Sequence, residues 1–154
     1  MSELKQFDDN IIDDQDQYET PRELFDHLRY KYDIFPLLDV AANVNNSKTQ
    51  FHLHDALHQE WVLGKEIVDV WCNPPHSKTE EFVLRAENQW LKYGMNILMI
   101  VPANSICASY FDSIFRLNHA RYYRISGRPQ FLRDGRPSKF PSRNSYFAVV
   151  WRKR

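Results

Sequence analysis

Glycine is scarce in this sequence, with four residues in 154, and none stands in the GxGxxG pattern that binds dinucleotide phosphates. Cysteine is scarcer: Cys72 and Cys107 can form at most one bridge, and no CxxC motif or Cys/His cluster indicates a metal site. No apolar run approaches the roughly twenty residues that cross a bilayer, and the N-terminus has no basic segment leading into an apolar one. These absences predict a cytoplasmic protein with no membrane span, no secretory signal and no bound metal.

Charge of one sign is not in excess, because 20 basic residues balance 20 acidic ones. The two signs are nevertheless separated along the chain. The first 26 residues are strongly acidic, whereas the chain from Arg116 onward is basic, with Asp134 its one acid. This separation predicts an acidic tail and a face that binds a polyanion, although arginines spread over a solvated surface would give the same count.

The length of the chain fits one domain, and 43% hydrophobic residues are typical of a folded protein. Residues 1–17 are polar, acidic and aperiodic, which predicts a flexible N-terminal tail. Residues 18–154 then form a single domain, with a basic loop region at about 126–145.

Apolar strands alternate with capped helices along this domain. Two capping boxes predict where helices begin. The box at Thr20–Glu23, with Pro21 in the first helical position, opens a helix over 21–32. The box at Ser77–Glu80 opens a helix that runs from 77 to the stop at Gly94. A shorter helix is predicted near 107–117, and strands are predicted at 34–40, 51–54, 67–71, 96–101, 121–126 and 145–151. The alternation favours an α/β fold whose parallel sheet is covered on both faces, with ligands bound beyond the carboxyl ends of its strands.

The most informative segment is Asn73-Pro74-Pro75-His76, directly after a buried strand. The Asn73 side-chain carbonyl and the Pro74 backbone carbonyl are two acceptors, and neither proline can donate a backbone hydrogen bond. Two acceptors suit a planar –NH2 group, because they favour a pyramidal nitrogen and stabilise the positive charge that develops when it is methylated.

This segment resembles the (D/N/S)-P-P-(Y/F/W) loop of the amino-methyltransferases, and the chain is most similar to the small phage-type DNA N6-adenine methyltransferases among them. Further matching stretches follow in family order: Tyr18–Pro21, Leu38–Ala42, Asn46–Lys48, Trp71–Pro75, Val101–Ala103 and Gly127–Phe131. The resemblance implies a Rossmann-like class I methyltransferase fold, mostly parallel with an antiparallel C-terminal hairpin and with helices on both faces.

The resemblance also implies transfer of a methyl group from S-adenosylmethionine to adenine N6 in DNA, by a protein of phage or prophage origin. Asn73, Pro74, Pro75 and His76 would be the catalytic residues, with His76 stacking on a flipped adenine. The cofactor-binding residues implied are Tyr18, Thr20, Pro21, Asp39, Ala41, Asn46 and Asp55. Thr20 and the helix start behind it would face the carboxylate of the methyl donor.

The basic C-terminal region is the predicted DNA-binding surface, because arginine suits phosphates and guanine edges. Its candidate contacts are Arg128, Arg133, Arg136, Lys139 and Arg143. The expected partner is DNA, with no membrane, and the protein is expected to be a monomer or a homodimer in the host cytoplasm.

His76 departs from the family pattern, in which an aromatic hydrocarbon or phenol ring follows the prolines. Two alternatives therefore stay open from the residues alone. The enzyme could methylate another planar amine, such as cytosine N4, an RNA base or a protein glutamine. Alternatively, the chain could be a DNA-binding protein on a decayed methyltransferase fold.

Overall fold

The computed structural model describes residues 19–42, 46–127, 129, 131–133, 136–137 and 145–154, and only the backbone at 133, 136 and 137. The predicted tail at 1–17 and the candidate residues Tyr18, Arg128, Lys139 and Arg143 lie outside these residues. Within them, no helix combines the length and the apolar character needed to cross a bilayer.

The described residues form a six-stranded sheet, a two-stranded hairpin and three α-helices. The helices are α1 (Arg22–Tyr32), α2 (Thr79–Tyr93) and α3 (Asp112–Arg116). The sheet strands are β1 (Leu38–Asp39), β2 (Phe51–His52), β3 (Val70–Cys72), β4 (Ile97–Pro102), β5 (Ala120–Arg124) and β8 (Tyr146–Trp151), and the hairpin strands are β6 (Leu132–Arg133) and β7 (Arg136–Pro137).

The order of the strands in the sheet is β2-β1-β3-β4-β8-β5. Strands β1 to β4 run parallel, while β8 lies antiparallel between β4 and β5. From β1 the chain crosses to β2 on one side, and from β3 it crosses to β4 on the other. The connections therefore diverge between β1 and β3, which creates the crevice where open α/β sheets bind ligands.

The two faces of the sheet carry two separate apolar layers. Ile97, Met99 and Val101 of β4 pack on the side of α2, and Leu98 and Ile100 pack on the side of α1. Successive strand residues point to opposite faces, so a strand covered on both sides is apolar throughout. The predicted α/β methyltransferase fold, mostly parallel with an antiparallel C-terminal pair and helices on both faces, is confirmed.

Both capping-box predictions are wrong. The N-caps are Pro21 for α1 and Lys78 for α2, and neither forms a side-chain cap hydrogen bond. A 3-10 turn at His76–Lys78 delays the start of α2, and the Thr79 hydroxyl donates to the carbonyl oxygen of His76 at 3.1 Å. The predicted stop at Gly94 is confirmed, because its backbone is left-handed (φ 74°) and its N–H donates to the Trp90 carbonyl.

Several other element boundaries differ from the prediction. Strand β1 begins at Leu38 rather than at residue 34, since the Phe35 N–H donates to the Asp69 carboxylate instead of to a neighbouring strand. Only Asp112–Arg116 of the helix predicted at 107–117 is α-helical, after the extended backbone of Ala108 and a 3-10 turn. The region predicted as a basic loop contains the β6–β7 hairpin.

The central strand gives a test of this packing. Leu98 on β4 is 0% exposed and Leu84 on α2 is 50% exposed. We expect Leu98→Ala to lower the free energy of unfolding by about 2–5 kcal/mol, because it leaves a cavity between β4 and α1. Leu84→Ala should change it by less than about 0.5 kcal/mol. Equal losses in urea denaturation would contradict the assignment of Leu98 to the core.

Candidate active site

A hollow opens where β1 and β3 end, at the point where the strand connections diverge. It is partly open to solvent rather than an enclosed cavity. Five of the residues predicted from sequence line it: Thr20, Asp39, Ala41, Asn46 and Asn73. Three separate segments of the chain are therefore brought together at this edge of the sheet.

Asp39 organises the loop that follows β1. Its side chain is buried, at 3% exposure, and its two carboxylate oxygens accept the backbone N–H groups of Ala41 and Lys48, each at 3.1 Å. Burial raises the pKa of Asp39 from its ordinary value of 3.8 to about 6, although these two hydrogen bonds act in the opposite direction. The carboxylate thus holds the backbone at Ala41 and Lys48 beside the hollow, although burying its charge is unfavourable.

Asn73 is oriented by a residue from the segment before α1. Its side-chain Nδ2 donates to Oγ1 of Thr20 at 2.9 Å, so the hydroxyl predicted to cap α1 is used to hold the amide instead. Among the described residues, nothing donates to Asn73 Oδ1 or to the Pro74 carbonyl oxygen. The two acceptors predicted from the sequence are therefore still able to accept.

Glu19, the residue before Thr20, pairs through its backbone with the C-terminal hairpin. The Glu19 N–H donates to the Leu132 carbonyl at 2.7 Å, and the Leu132 N–H donates to the Glu19 carbonyl at 2.8 Å. Leu132 begins β6, in which Arg133 pairs with Arg136 of β7. The hairpin of the basic region is thus tied to the segment that orients Asn73.

His76 lies just beyond the prolines and is half-buried. Its Nε2 is 2.9 Å from the hydroxyl oxygen of Tyr146, the first residue of β8. Neither His76 nor the two prolines line the hollow itself. The three residues follow Asn73 along the same rim of the sheet.

Two of the other predicted cofactor residues, Pro21 and Asp55, do not line this hollow. Asp55 is exposed, and its Oδ1 lies 2.8 Å from Nδ1 of His58. The nearby histidines also have hydrogen-bond partners: Nδ1 of His58 bonds with Asp55, and Nε2 of His52 bonds with Nε2 of His54. Across the described residues, no three His, Cys, Asp or Glu side chains are grouped as metal ligands.

Four lining residues were not predicted: Glu19, Ala42, Lys48 and Trp71. Each of them is next to a predicted site residue or lies within one of the stretches that match the family. Proximity in sequence to those residues could therefore have identified them. Lys48 also accepts, through its carbonyl oxygen, a hydrogen bond of 2.8 Å from Arg22 of α1. This bond joins the loop after β1 to the helix behind Thr20.

Cys72, next to Asn73, is fully buried. Desolvation, and secondarily the charge of Asp39, raise the pKa of its thiol well above the ordinary range. A protonated, enclosed thiol is a packing residue rather than a nucleophile. Cys72 therefore contributes no reactive group at the end of β3.

The mixed sheet, the diverging connections and the Asn-Pro-Pro loop at their edge define an α/β protein of the methyltransferase fold. Comparison with known proteins agrees with this geometry. The family model described as DNA N-6-adenine-methyltransferase (Dam) matches residues 9–153. The chain belongs to this DNA N-6-adenine-methyltransferase (Dam) family, and the predicted resemblance is confirmed.

Two phage proteins, both named DNA N-6-adenine-methyltransferase, are similar to the chain. The protein of Escherichia phage T1 is 29% identical over 101 residues, which are 64% of this chain and 41% of the phage protein. The protein of Haemophilus phage HP1 (strain HP1c1) is 26% identical over 124 residues, covering 79% and 69% of the two chains. The matched region therefore spans about two-fifths of the length of the phage T1 relative.

Asp39 predicts a pH dependence of stability. Because its pKa in the folded protein lies above its ordinary value, its contribution to stability is complete below about pH 3.8 and is lost as the pH rises through about 6. The free energy of unfolding of the wild type relative to Asp39→Asn should therefore fall between pH 4 and 7.5, by about 3 kcal/mol at most.

Urea denaturation across this pH range measures the difference. Asp112→Asn removes an exposed carboxylate from α3 and serves as the control, whose profile should run parallel to that of the wild type. A constant difference between wild type and Asp39→Asn from pH 4 to 7.5 would show that burial does not perturb Asp39.

Proposed function

We propose that the protein transfers a methyl group from S-adenosylmethionine to the N6 amine of adenine in DNA. Membership of the Dam family supports the reaction class. The observation that carries the assignment to this site is the Asn73 amide. Its N–H is bound to Thr20, so its carbonyl oxygen is the end left to bind a substrate amine beside the hollow.

The chemistry requires a weak nucleophile to be improved. The lone pair of adenine N6 is delocalised into the purine ring. Asn73 Oδ1 and the Pro74 carbonyl oxygen would accept the two N–H bonds of the amine, favour a pyramidal nitrogen and stabilise the positive charge that develops on it. A rigid Pro-Pro segment keeps the two acceptors in fixed relation, so little reorganisation is needed.

The residues of the hollow fit the methyl donor, which supplies an electrophilic methyl group on a sulfonium. Asp39 offers a buried negative charge, Lys48 and Asn46 lie on the same lining, and Thr20 precedes the N-terminus of α1. A cationic ligand beside Asp39 would offset the cost of burying its carboxylate, whereas the start of α1 favours an anionic group. The lining is thus suited to a zwitterionic ligand that also carries a cation.

DNA binding is assigned to the basic region that contains the β6–β7 hairpin. Adenine N6 is paired inside a duplex, so the base must leave the stack before Asn73 can reach it. His76 follows the two prolines, and by the family resemblance its ring would stack on the extruded base. The Glu19–Leu132 pairing would connect the DNA-bound hairpin to the segment that holds Asn73.

Removing the Asn73 side chain tests the assignment directly. We expect Asn73→Ala to lower kcat for methylation of duplex DNA by ~10²-fold or more, because one acceptor for the amine is lost. Incorporation of a labelled methyl group measures the rate, and circular dichroism verifies the fold. Asn88→Ala, on the exposed side of α2, is the matched control and should retain activity.

The same assay with DNA, RNA and protein substrates separates the alternatives. Sequencing of modified bases in DNA from cells that express the protein should reveal N6-methyladenine. Labelled methyl groups found in cytosine, in RNA or in protein would show that the acceptor is not adenine N6. Binding of DNA without any transfer, and without heat on mixing with S-adenosylmethionine, would indicate a decayed site.

Thr20 gives a second prediction, because its two possible roles affect different constants. Thr20→Val keeps the side-chain shape but leaves Asn73 Nδ2 without its acceptor, so kcat should fall about ten-fold while the affinity for S-adenosylmethionine changes little. Thr20→Ser should restore most of kcat. Weakened donor binding with unchanged kcat would assign Thr20 to cofactor binding instead.

A further inference from the structure

Tyr146 is an entirely buried residue whose hydroxyl reaches the end of the catalytic loop. Its exposure is 0%, and its Oη lies 2.9 Å from Nε2 of His76. It was not among the site residues predicted from the sequence. A buried phenol needs a hydrogen-bond partner, and here a partner is the imidazole that stands in the position where the family pattern has a larger ring.

The position of Tyr146 is fixed by its place in the sheet and by an aromatic contact. Tyr146 lies opposite Pro102 of β4, and on the side of β5 its carbonyl oxygen accepts the Ile125 N–H at 3.0 Å, so its backbone is held within the sheet. The ring of Phe131, itself 1% exposed, meets the Tyr146 ring edge-on at 4.9 Å and 64°. The hydroxyl therefore has a defined position before any substrate binds.

His76 depends on such support more than a bulky aromatic residue would. It is half-buried, and its backbone opens a short 3-10 turn rather than a long helix. The imidazole and phenol rings lie 5.8 Å apart at 39°, so they are joined by the hydrogen bond at their edges rather than by stacking face to face. The Tyr146 ring therefore meets the imidazole without stacking on its face.

We propose that Tyr146 is a positioning residue that acts through His76. The bond between Tyr146 Oη and His76 Nε2 fixes the plane of the imidazole and holds it as the surface on which the extruded adenine stacks. This inference rests on the proposed function. It explains how a smaller ring can serve at this position. A ring held in place by a residue of β8 loses less freedom on stacking, which offsets its smaller contact area.

Tyr146→Phe removes only the hydroxyl and keeps the ring against Phe131. We expect kcat/KM for DNA to fall about ten-fold, with KM for S-adenosylmethionine unchanged. Fluorescence of 2-aminopurine at the target position, which reports extrusion of the base, should fall several-fold at saturating protein. Tyr32→Phe is the matched control, because Tyr32 is a buried tyrosine of the same apolar layer whose hydroxyl has no partner in the described structure.

A double-mutant cycle separates positioning from a merely structural role. In the His76→Phe background the hydroxyl has no imidazole to hold, so adding Tyr146→Phe should change kcat/KM by less than two-fold. If the two substitutions instead multiply their effects, Tyr146 does not act through His76 and the proposal fails.

A measurement without turnover keeps this inference distinct from the proposed reaction. In ¹⁵N-histidine NMR spectra of the free protein, the imidazole of His76 should hold a single tautomer, and His76→Phe identifies its signal. Tyr146→Phe should shift that signal while the other five histidines stay unchanged. An unaffected His76 signal would overturn the inference even if DNA is methylated, and a shifted signal would sustain the contact even if another amine is the acceptor.

Discussion

One hydrogen bond, from Asn73 Nδ2 to Thr20 Oγ1, decides what the end of β3 can do. An asparagine side chain is both a donor and an acceptor. If the Asn73 amide were rotated, its N–H groups would face the N–H groups of the substrate amine, and no hydrogen bond could form. Thr20 removes this ambiguity by binding the donor end. Every later step of the proposed chemistry, from gripping the amine to stabilising its charge, needs the carbonyl end to face outward.

That bond is possible because three stretches far apart in sequence meet at one edge of the sheet. The divergence of the connections between β1 and β3 opens the crevice, and the Glu19–Leu132 pairing brings Thr20 to it. The hydroxyl is therefore supplied by a segment that is itself held by the hairpin of the basic region. In the proposed reaction this gives DNA contacts a short physical route to the catalytic amide, through two backbone hydrogen bonds and one side-chain bond.

Much of this arrangement was predictable because it follows from local chemistry. Apolar β-branched residues identify the strands, Gly94 ends α2, and two consecutive prolines place Asn73 at the carboxyl end of β3. Rules for parallel sheets then bring Asp39 and Asn73 to the same rim. The role of Thr20 was not predictable, since a threonine before a helix is locally an excellent cap. Only the tertiary fold places an amide 53 residues away within its reach.

Tyr146 illustrates the same limit from the opposite end of the chain. As a tyrosine opening an apolar strand, it is indistinguishable in sequence from a core residue, and its ring does pack in the core. Its hydroxyl, however, bonds to a loop residue 70 positions earlier in the sequence. The imidazole of His76, viewed in sequence, is a weaker stacking group than the family's larger rings. In the proposed reaction, the hydrogen bond to Tyr146 would reduce the freedom that the imidazole loses when a base stacks on it, and that loss is one of the costs of binding.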